Sequence, residues 1–357
     1  MTPPRRILLI RPSALGDVCR TVPVLASLKR WAPDARIDWL VQDAFAPAVA
    51  AHPDLHAVVP FPRTRFRNWW RSPTVARELW AWLGALRRTR YDMVFDCQGL
   101  ARSGLFAWCT RAPARVGYAN AQEWAWLGVN RRHDAPRDAH TVDRMLALVE
   151  AEGVPAQRDM RLYTSEEDRR AVPDSLRGAR YAVVAPTSRW EAKRWPDARF
   201  AALVRALLDD GGFDRVAVVG GPGERAQCPE TINACAQDER IIDLIGATGV
   251  GGLMAAIESS SLVVANDSAA LHMAVGFDRP YVGLFGPTQL SLVGPYGGQG
   301  VTLQRVEPDE RPNHKAPEPG RTMMARITLE DVLAGAAEAR RLRTGTVTTA
   351  NAPPRTP

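Results

Sequence analysis

The chain has 357 residues, 46% hydrophobic and 24% charged, which is too apolar for wholesale disorder and too long for one ordinary core. A formal net charge of +7 points to an anionic partner and leaves nucleic acid, an acidic membrane surface and a phosphorylated substrate open. Five cysteines with no CxxC pair or Cys/His cluster argue against a disulfide framework and a structural zinc, no apolar run is long enough to span a bilayer, and the run after Arg5 and Arg6 is too short for a signal peptide, so a cytoplasmic protein is expected.

In chain order, residues 6–11 (RILLIR) read as a strand, 18–31 as a helix, 37–41 and 57–61 as strands, 75–88 as a helix and 93–98 as a strand. The pattern restarts with a strand at 181–186, a helix at 197–208, a strand at 215–220, a helix from about Glu224, a strand at 240–245, a helical run near 253–257, a strand at 261–267, a helix through His272 and a strand at 281–285. Such alternation predicts parallel sheets covered on both faces, hence an α/β fold of two tandem doubly wound domains. The polar, proline-containing stretch 154–180 is the expected connection, which places the domains at 1–160 and 161–343. After 285 the chain turns rich in Gly and Pro, then offers a last helix at 327–343 that opens on Thr328 with Asp331 three residues on. That helix can pack back on the first domain, and the small polar residues 344–357 are expected to be a disordered tail.

Ligands of open α/β sheets bind beyond the carboxyl ends of the strands, so the loops after each strand are the places to search. The loop 12–18 (PSALGDV) is not GxGxxG, and no acidic residue closes the second strand, which removes the main support for a nicotinamide or flavin. It carries Gly16 and Asp17; Asp17 is either a helix N-cap or a carboxylate able to accept a proton. The loop 186–196 (PTSRWEAKRWP) supplies Thr187, Ser188, Lys193 and Arg194 ahead of a helix, as a phosphate site or as a solvated basic loop. The stretch 266–274 (NDSAALHMA) ends a strand on Asp267 and opens a helix on small residues, with His272 in its first turn, as an anion site or with Asp267 as a helix cap and His272 as a packed helix residue. Between Arg63 and Arg90 lie eight arginines against one acidic residue, Glu78, with Trp69, Trp70, Trp80 and Trp82 interleaved.

Taken together and in this order, the stretches 5–41, 91–105 (YDMVFDCQGLARSGL), 187–204 (TSRWEAKRWPDARFAALV), 218–226 (VVGGPGERA) and 262–289 resemble the heptosyltransferase family, inverting glycosyltransferases of the two-Rossmann B architecture whose domains face a cleft. The element Asp96–Leu100 is more similar to heptosyltransferase I, which adds the first heptose to Kdo. The resemblance implies an acceptor-binding first domain and a nucleotide-sugar-binding second one. By motif, Asp17 matches the general base, Lys193 the lysine on the donor phosphates and Glu224 the residue that holds the donor ribose. Asp267, Ser268, Ala269 and His272 match the element around the diphosphate and sugar, Thr248 the adenosine edge, and Thr187 and Ser188 fall among the donor contacts. Ser13, Gly16, Gln98, Arg63 and Arg65 are the expected acceptor contacts. Two departures stand out: the family's Thr-Gly is here Ser268-Ala269, whose added methyl crowds a phosphate, and residues 307–322 carry no family feature.

The implied reaction is transfer of heptose from ADP-heptose to the Kdo-lipid A inner core by one in-line displacement, with no cofactor and, in the absence of a DxD pair, no metal. Interdomain closure would exclude water. The partners expected are a nucleotide sugar and an anionic glycolipid at the inner face of the cytoplasmic membrane, with no nucleic acid, for a monomer peripheral to that membrane. A family member with another donor or acceptor, and a non-catalytic sugar- or polyanion-binding protein on the same fold, are the alternatives.

Overall fold

The structure is a computed structural model that describes residues 4–307, 310, 313 and 316–345, with side chains described to residue 342. The chain divides into two compact units, Met1–Ser165 and Glu166–Pro357. The tail 344–357 expected from the sequence lies, from residue 346 on, outside the described residues.

The first unit is built on β1 (Arg6–Ile10), β2 (Arg36–Gln42), β3 (Ala57–Phe61), β4 (Met93–Asp96), β5 (Ala114–Tyr118) and β6 (Arg131–His133), all parallel, in the order β3-β2-β1-β4-β5-β6. β1 and β4 are buried almost throughout, which is why they read as unbroken apolar runs instead of alternating ones. One face of the sheet packs Leu8, Ile10, Leu40 and Val94 against Leu83, Leu86 and Phe106 of the helices Pro73–Arg88 and Ala101–Thr110. The helix expected at 18–31 is two: Leu15–Arg20 and Val22–Trp31, broken at Thr21, because Pro23 has no N–H and sits at the start of a helix instead of inside one.

The second unit repeats the plan with β7 (Tyr181–Ala185), β8 (Arg215–Gly220), β9 (Ile241–Ile245), β10 (Leu262–Asn266), β11 (Tyr281–Phe285) and β12 (Gly300–Gln304), again parallel, in the order β12-β11-β10-β7-β8-β9. Its core joins Val184, Val218 and Val264 of the sheet to Phe200 and Leu203 of the helix Asp197–Asp209, with Trp195 edge-on to Phe200 at 4.9 Å. The helix expected from Glu224 begins at Pro229, after a single tight turn Arg225–Gln227. The helix Leu329–Gly345 lies against β10, β11, β12 and the helix Asp197–Asp209. At its start Thr328 and Asp331 exchange hydrogen bonds of 3.0 and 3.1 Å, the reciprocal cap their spacing predicts.

Candidate active site

In both sheets the connections reverse direction between the first and fourth strands of the unit, β1 and β4 in one and β7 and β10 in the other. The loops leaving those neighbours diverge and open a crevice at the carboxyl edge. Asp17, Ser13, Gly16 and Gln98 sit there in the first unit, and Thr187, Ser188, Lys193, Asp267, Ser268, Ala269 and His272 in the second.

In the first unit β1 runs straight into Arg11, whose buried guanidinium donates to the Cys97 carbonyl after β4 and lies 3.1 Å from Asp17 Oδ2. Arg20, one turn further along the helix Leu15–Arg20, donates to Asp17 Oδ1. The Ala14 N–H donates to Asp17 Oδ2 at 3.2 Å. Asp17 is therefore not the N-cap: the helix starts at Leu15, and the carboxylate reaches back from its first turn. Burial pushes its pKa up, but Arg11 and then Arg20 outweigh that, and the carboxyl is held well below the usual range.

Across the switch point, Asp96 closes β4 and accepts hydrogen bonds from the Gln98 and Gly99 amides (3.0 and 3.1 Å) and the Ser103 hydroxyl (2.9 Å). Burial raises its pKa against those bonds. The turn so formed presents Gln98, whose Oε1 accepts from the Ser13 N–H at 3.4 Å. Arg11, Asp17, Gln98, Tyr118, Asn120 and Arg144 line a cavity of about 210 Å³. Asn120 Oδ1 and the Nε atoms of Arg11 and Arg144 are buried there with no hydrogen-bond partner among the described residues.

Of the expected acceptor residues, the fold brings Ser13, Gly16 and Gln98 beside Asp17. Arg63 and Arg65 follow β3, the edge strand. Arg63 donates to Gln42 (3.3 Å) and, with Arg67, Trp69, Trp70 and Arg102, lines a separate groove of about 850 Å³. Arg65 forks onto Glu78 at 2.8 and 2.9 Å.

In the second unit the loop after β7 carries Thr187 and Ser188, both buried, and then a tight turn Glu191–Lys193. Lys193 Nζ donates to Asp267 Oδ2 at 2.6 Å, and the Thr288 hydroxyl donates to the same oxygen at 2.7 Å. Burial raises the Asp267 pKa, but Lys193, Thr288 and His272 together bring it below its ordinary value. Asp267 is thus not a cap either: Ser268 holds the N-cap position of the helix Ala269–Gly276, its buried hydroxyl without a partner among the described residues, and His272 is buried in the first turn. Glu224, in the loop after β8, accepts from the Thr187 hydroxyl (2.6 Å) and the Gly221 amide (2.7 Å). Thr248 lies in the loop after β9, the far edge of the sheet, away from the Lys193–Asp267 pair.

Sequence reading missed Arg11, Arg20, Asn120 and Arg144 in the first site, and Asn266 in the second. The buried Asn266 closes β10, donates to the Pro186 carbonyl (2.7 Å) and accepts from the Trp195 amide (3.0 Å), so it clamps both ends of the Lys193 loop. Only Arg20 left a signal, its i,i+3 spacing from Asp17. Among the described residues no cluster of three or more His, Cys, Asp or Glu side chains could hold a metal ion.

The sequence pattern of glycosyltransferase family 9 (heptosyltransferase) matches residues 79–320. The chain belongs to this family. This family 9 glycosyltransferase is 30% identical over 307 residues to lipopolysaccharide heptosyltransferase 1 of Pseudomonas aeruginosa, across 84% of this chain and 83% of that one. Its fold is that of the E. coli heptosyltransferase WaaC solved with ADP (TM-score 0.77, 24% identity, 94% of this chain and 99% of that one). The same enzyme with ADP-2-deoxy-2-fluoro heptose gives 0.74 at 23% identity, over 92% and 98%. The two tandem doubly wound α/β units expected from the sequence are observed, each on its own six-stranded parallel sheet.

Proposed function

We propose that this enzyme transfers a heptose from ADP-heptose to the Kdo-lipid A inner core of lipopolysaccharide at the inner face of the cytoplasmic membrane, the first unit binding the acceptor and the second the donor. The observation that carries the reading is the part-buried Lys193–Asp267–Thr288 cluster at the mouth of the helix Ala269–Gly276. A nucleoside diphosphate leaves with developing negative charge, and a part-buried cation next to helix amides stabilises that charge without a protein-held metal. Glu224, braced by Thr187 and Gly221, suits the ribose hydroxyls, and Thr248 the adenosine edge.

Asp17 is the proposed base: an acceptor hydroxyl attacks the anomeric carbon as its proton passes to the carboxylate, and ADP leaves from the opposite face with inversion. The cavity beside it, with Arg11 and Arg144 on its wall, fits an acidic sugar better than a neutral one, because two guanidiniums put positive charge on its lining. The structures of the E. coli relative with ADP and with a heptose analogue support the choice of donor. One feature favours a second reading, another nucleotide sugar: Ala269 puts a methyl at the first residue of the anion-facing helix, where the family motif has glycine.

The test is turnover of ADP-heptose with Kdo-lipid A by the wild type and by Asp17→Ala, beside a panel of other nucleotide sugars. Release of ADP and a heptosylated product from the wild type alone is expected. Product from a different nucleotide sugar, with none from ADP-heptose, would replace the first reading by the second.

A further inference from the structure

Seven of the nine large apolar side chains exposed among the described residues fall between Trp69 and Leu127, in one unit. The first part of that segment belongs to the Arg/Trp-rich stretch 63–90. The structure adds a second part, on the helix Ala101–Thr110 and the turn Ala125–Gly128.

Along that helix Arg102, Leu105 and Trp108 are exposed while Ser103, Gly104, Phe106, Ala107 and Thr110 are buried, so a Leu/Trp stripe at i,i+3 spacing faces solvent with arginines at both ends. The Arg111 guanidinium covers the Trp108 ring at 4.0 Å. The turn Ala125–Gly128 is pressed on this helix backbone to backbone: a Cβ at Gly128 would lie 1.9 Å from the Gly104 carbonyl oxygen. The turn so held carries Leu127, 59% exposed, and is preceded by Trp124, 75% exposed, next to the helix that carries Leu105 and Trp108. The nearby acid Glu123 accepts a hydrogen bond from the Ala101 amide. At Arg102 and Leu105 the stripe runs into the groove walled by Trp69 and Trp70.

We propose that this face, carrying Leu105, Trp108, Trp124 and Leu127 between Arg102 and Arg111, docks on an anionic phospholipid bilayer. The inference rests on the lipid-linked acceptor proposed above. Its physical warrant is composition and placement. Tryptophan is the side chain whose ring is favoured at headgroup depth, and arginine pairs with lipid phosphates while its stem lies on apolar surface. Exposed Leu and Trp side chains gain free energy when their apolar surface moves from water into the interfacial layer. Arg102 and Arg111 flank the apolar groups, and their charge is complementary to an anionic lipid surface.

The test uses the full chain and phosphatidylcholine vesicles with or without about one third phosphatidylglycerol, read by co-sedimentation and tryptophan fluorescence. The wild type should bind the anionic vesicles at least about tenfold more tightly than neutral ones, with a blue-shifted emission. The variant Trp108→Ala/Trp124→Ala/Leu127→Ala should lose about tenfold or more of that binding, with an unchanged circular dichroism spectrum and unchanged turnover of a deacylated, water-soluble acceptor. Should that variant not fold, Arg102→Glu/Arg111→Glu probes the same face by charge and should abolish the preference for anionic lipid. Equal vesicle binding by wild type and folded variant overturns the proposal. So does absent vesicle binding with an oligomer that the triple substitution turns into monomers, since a second copy then covers the face. Vesicle binding without turnover of any soluble acceptor leaves the surface standing and removes the acceptor reading instead.

Discussion

Arg11 and Asp17 form an ion pair of 3.1 Å at the carboxyl end of β1, with the arginine almost wholly buried and a second guanidinium, that of Arg20, on the other carboxylate oxygen. A carboxylate held in this way is a weak proton acceptor. If Asp17 is the base, its basicity rises when an acidic acceptor draws Arg11 towards itself, so the pair couples acceptor binding to proton removal.

Asp17→Asn should lower kcat by about 10²–10⁴. The ADP dissociation constant, measured by calorimetry, should change by less than about twofold, because the proposed ADP contacts lie in the other unit. Equal losses in kcat and ADP affinity would remove Asp17 from the role of base.

The same substitution leaves two buried guanidiniums facing a neutral amide, which should cost roughly 2–4 kcal/mol of stability by urea denaturation near pH 7. The pH dependence has a definite sign. The folded pKa of Asp17 lies below its unfolded value, so its stabilisation is fully present above the ordinary carboxylate range and is lost as pH falls towards the folded value. Wild type and Asp17→Asn should therefore differ by a constant amount above about pH 5 and converge below about pH 4. A gap that widens in acid would contradict the ion-pair account.

Asn266→Ala removes the partner of the Pro186 carbonyl and of the Trp195 amide in a buried place, for an expected loss of about 1–3 kcal/mol. The Lys193 loop then loses its clamp, and ADP binding should weaken by about tenfold while acceptor KM stays unchanged. Unchanged ADP affinity in a folded Asn266→Ala protein would mean that Lys193 is positioned by other contacts.

Gly320 lies on the helix Pro317–Ala325, within the stretch 307–322 that carried no family feature, and it touches the turn that bears Lys193. A Cβ there would stand 2.4 Å from Ala192 Cβ and 2.5 Å from the Ala192 carbonyl oxygen. Gly320→Ala should push the turn aside, raising donor KM severalfold and lowering stability by about 1–3 kcal/mol, as overpacking does. Wild-type donor kinetics in this variant would show that the turn tolerates the shift.

Much of the fold was legible because strands buried on both faces must be apolar without interruption: β1, β7 and β10 stand out as such runs. β5, β6 and β12 were not: Arg115 and Gly117 interrupt the apolar run of β5, and β6 and β12 are edge strands of mixed burial with no periodic signature. The loops at 12–18, 186–196 and 266–274 were legible as sites because they follow strands and carry cations, acids and small residues in family order. Their pairings were not, and both Asp17 and Asp267 invited the simpler reading of a cap that the structure replaces with ion pairs.

The amino-acid order by itself determined where the apolar strands lie, where the loops at their carboxyl ends fall and which residue types those loops offer, since apolar runs, glycines and prolines act over a few neighbours. Tertiary structure decided who meets whom. The reversal of strand order between β1 and β4, and between β7 and β10, brings Arg11 to Cys97 and Lys193 to Asp267 across 86 and 74 residues of chain. Contacts at that separation depend on the packing of the whole sheet, which no local pattern encodes.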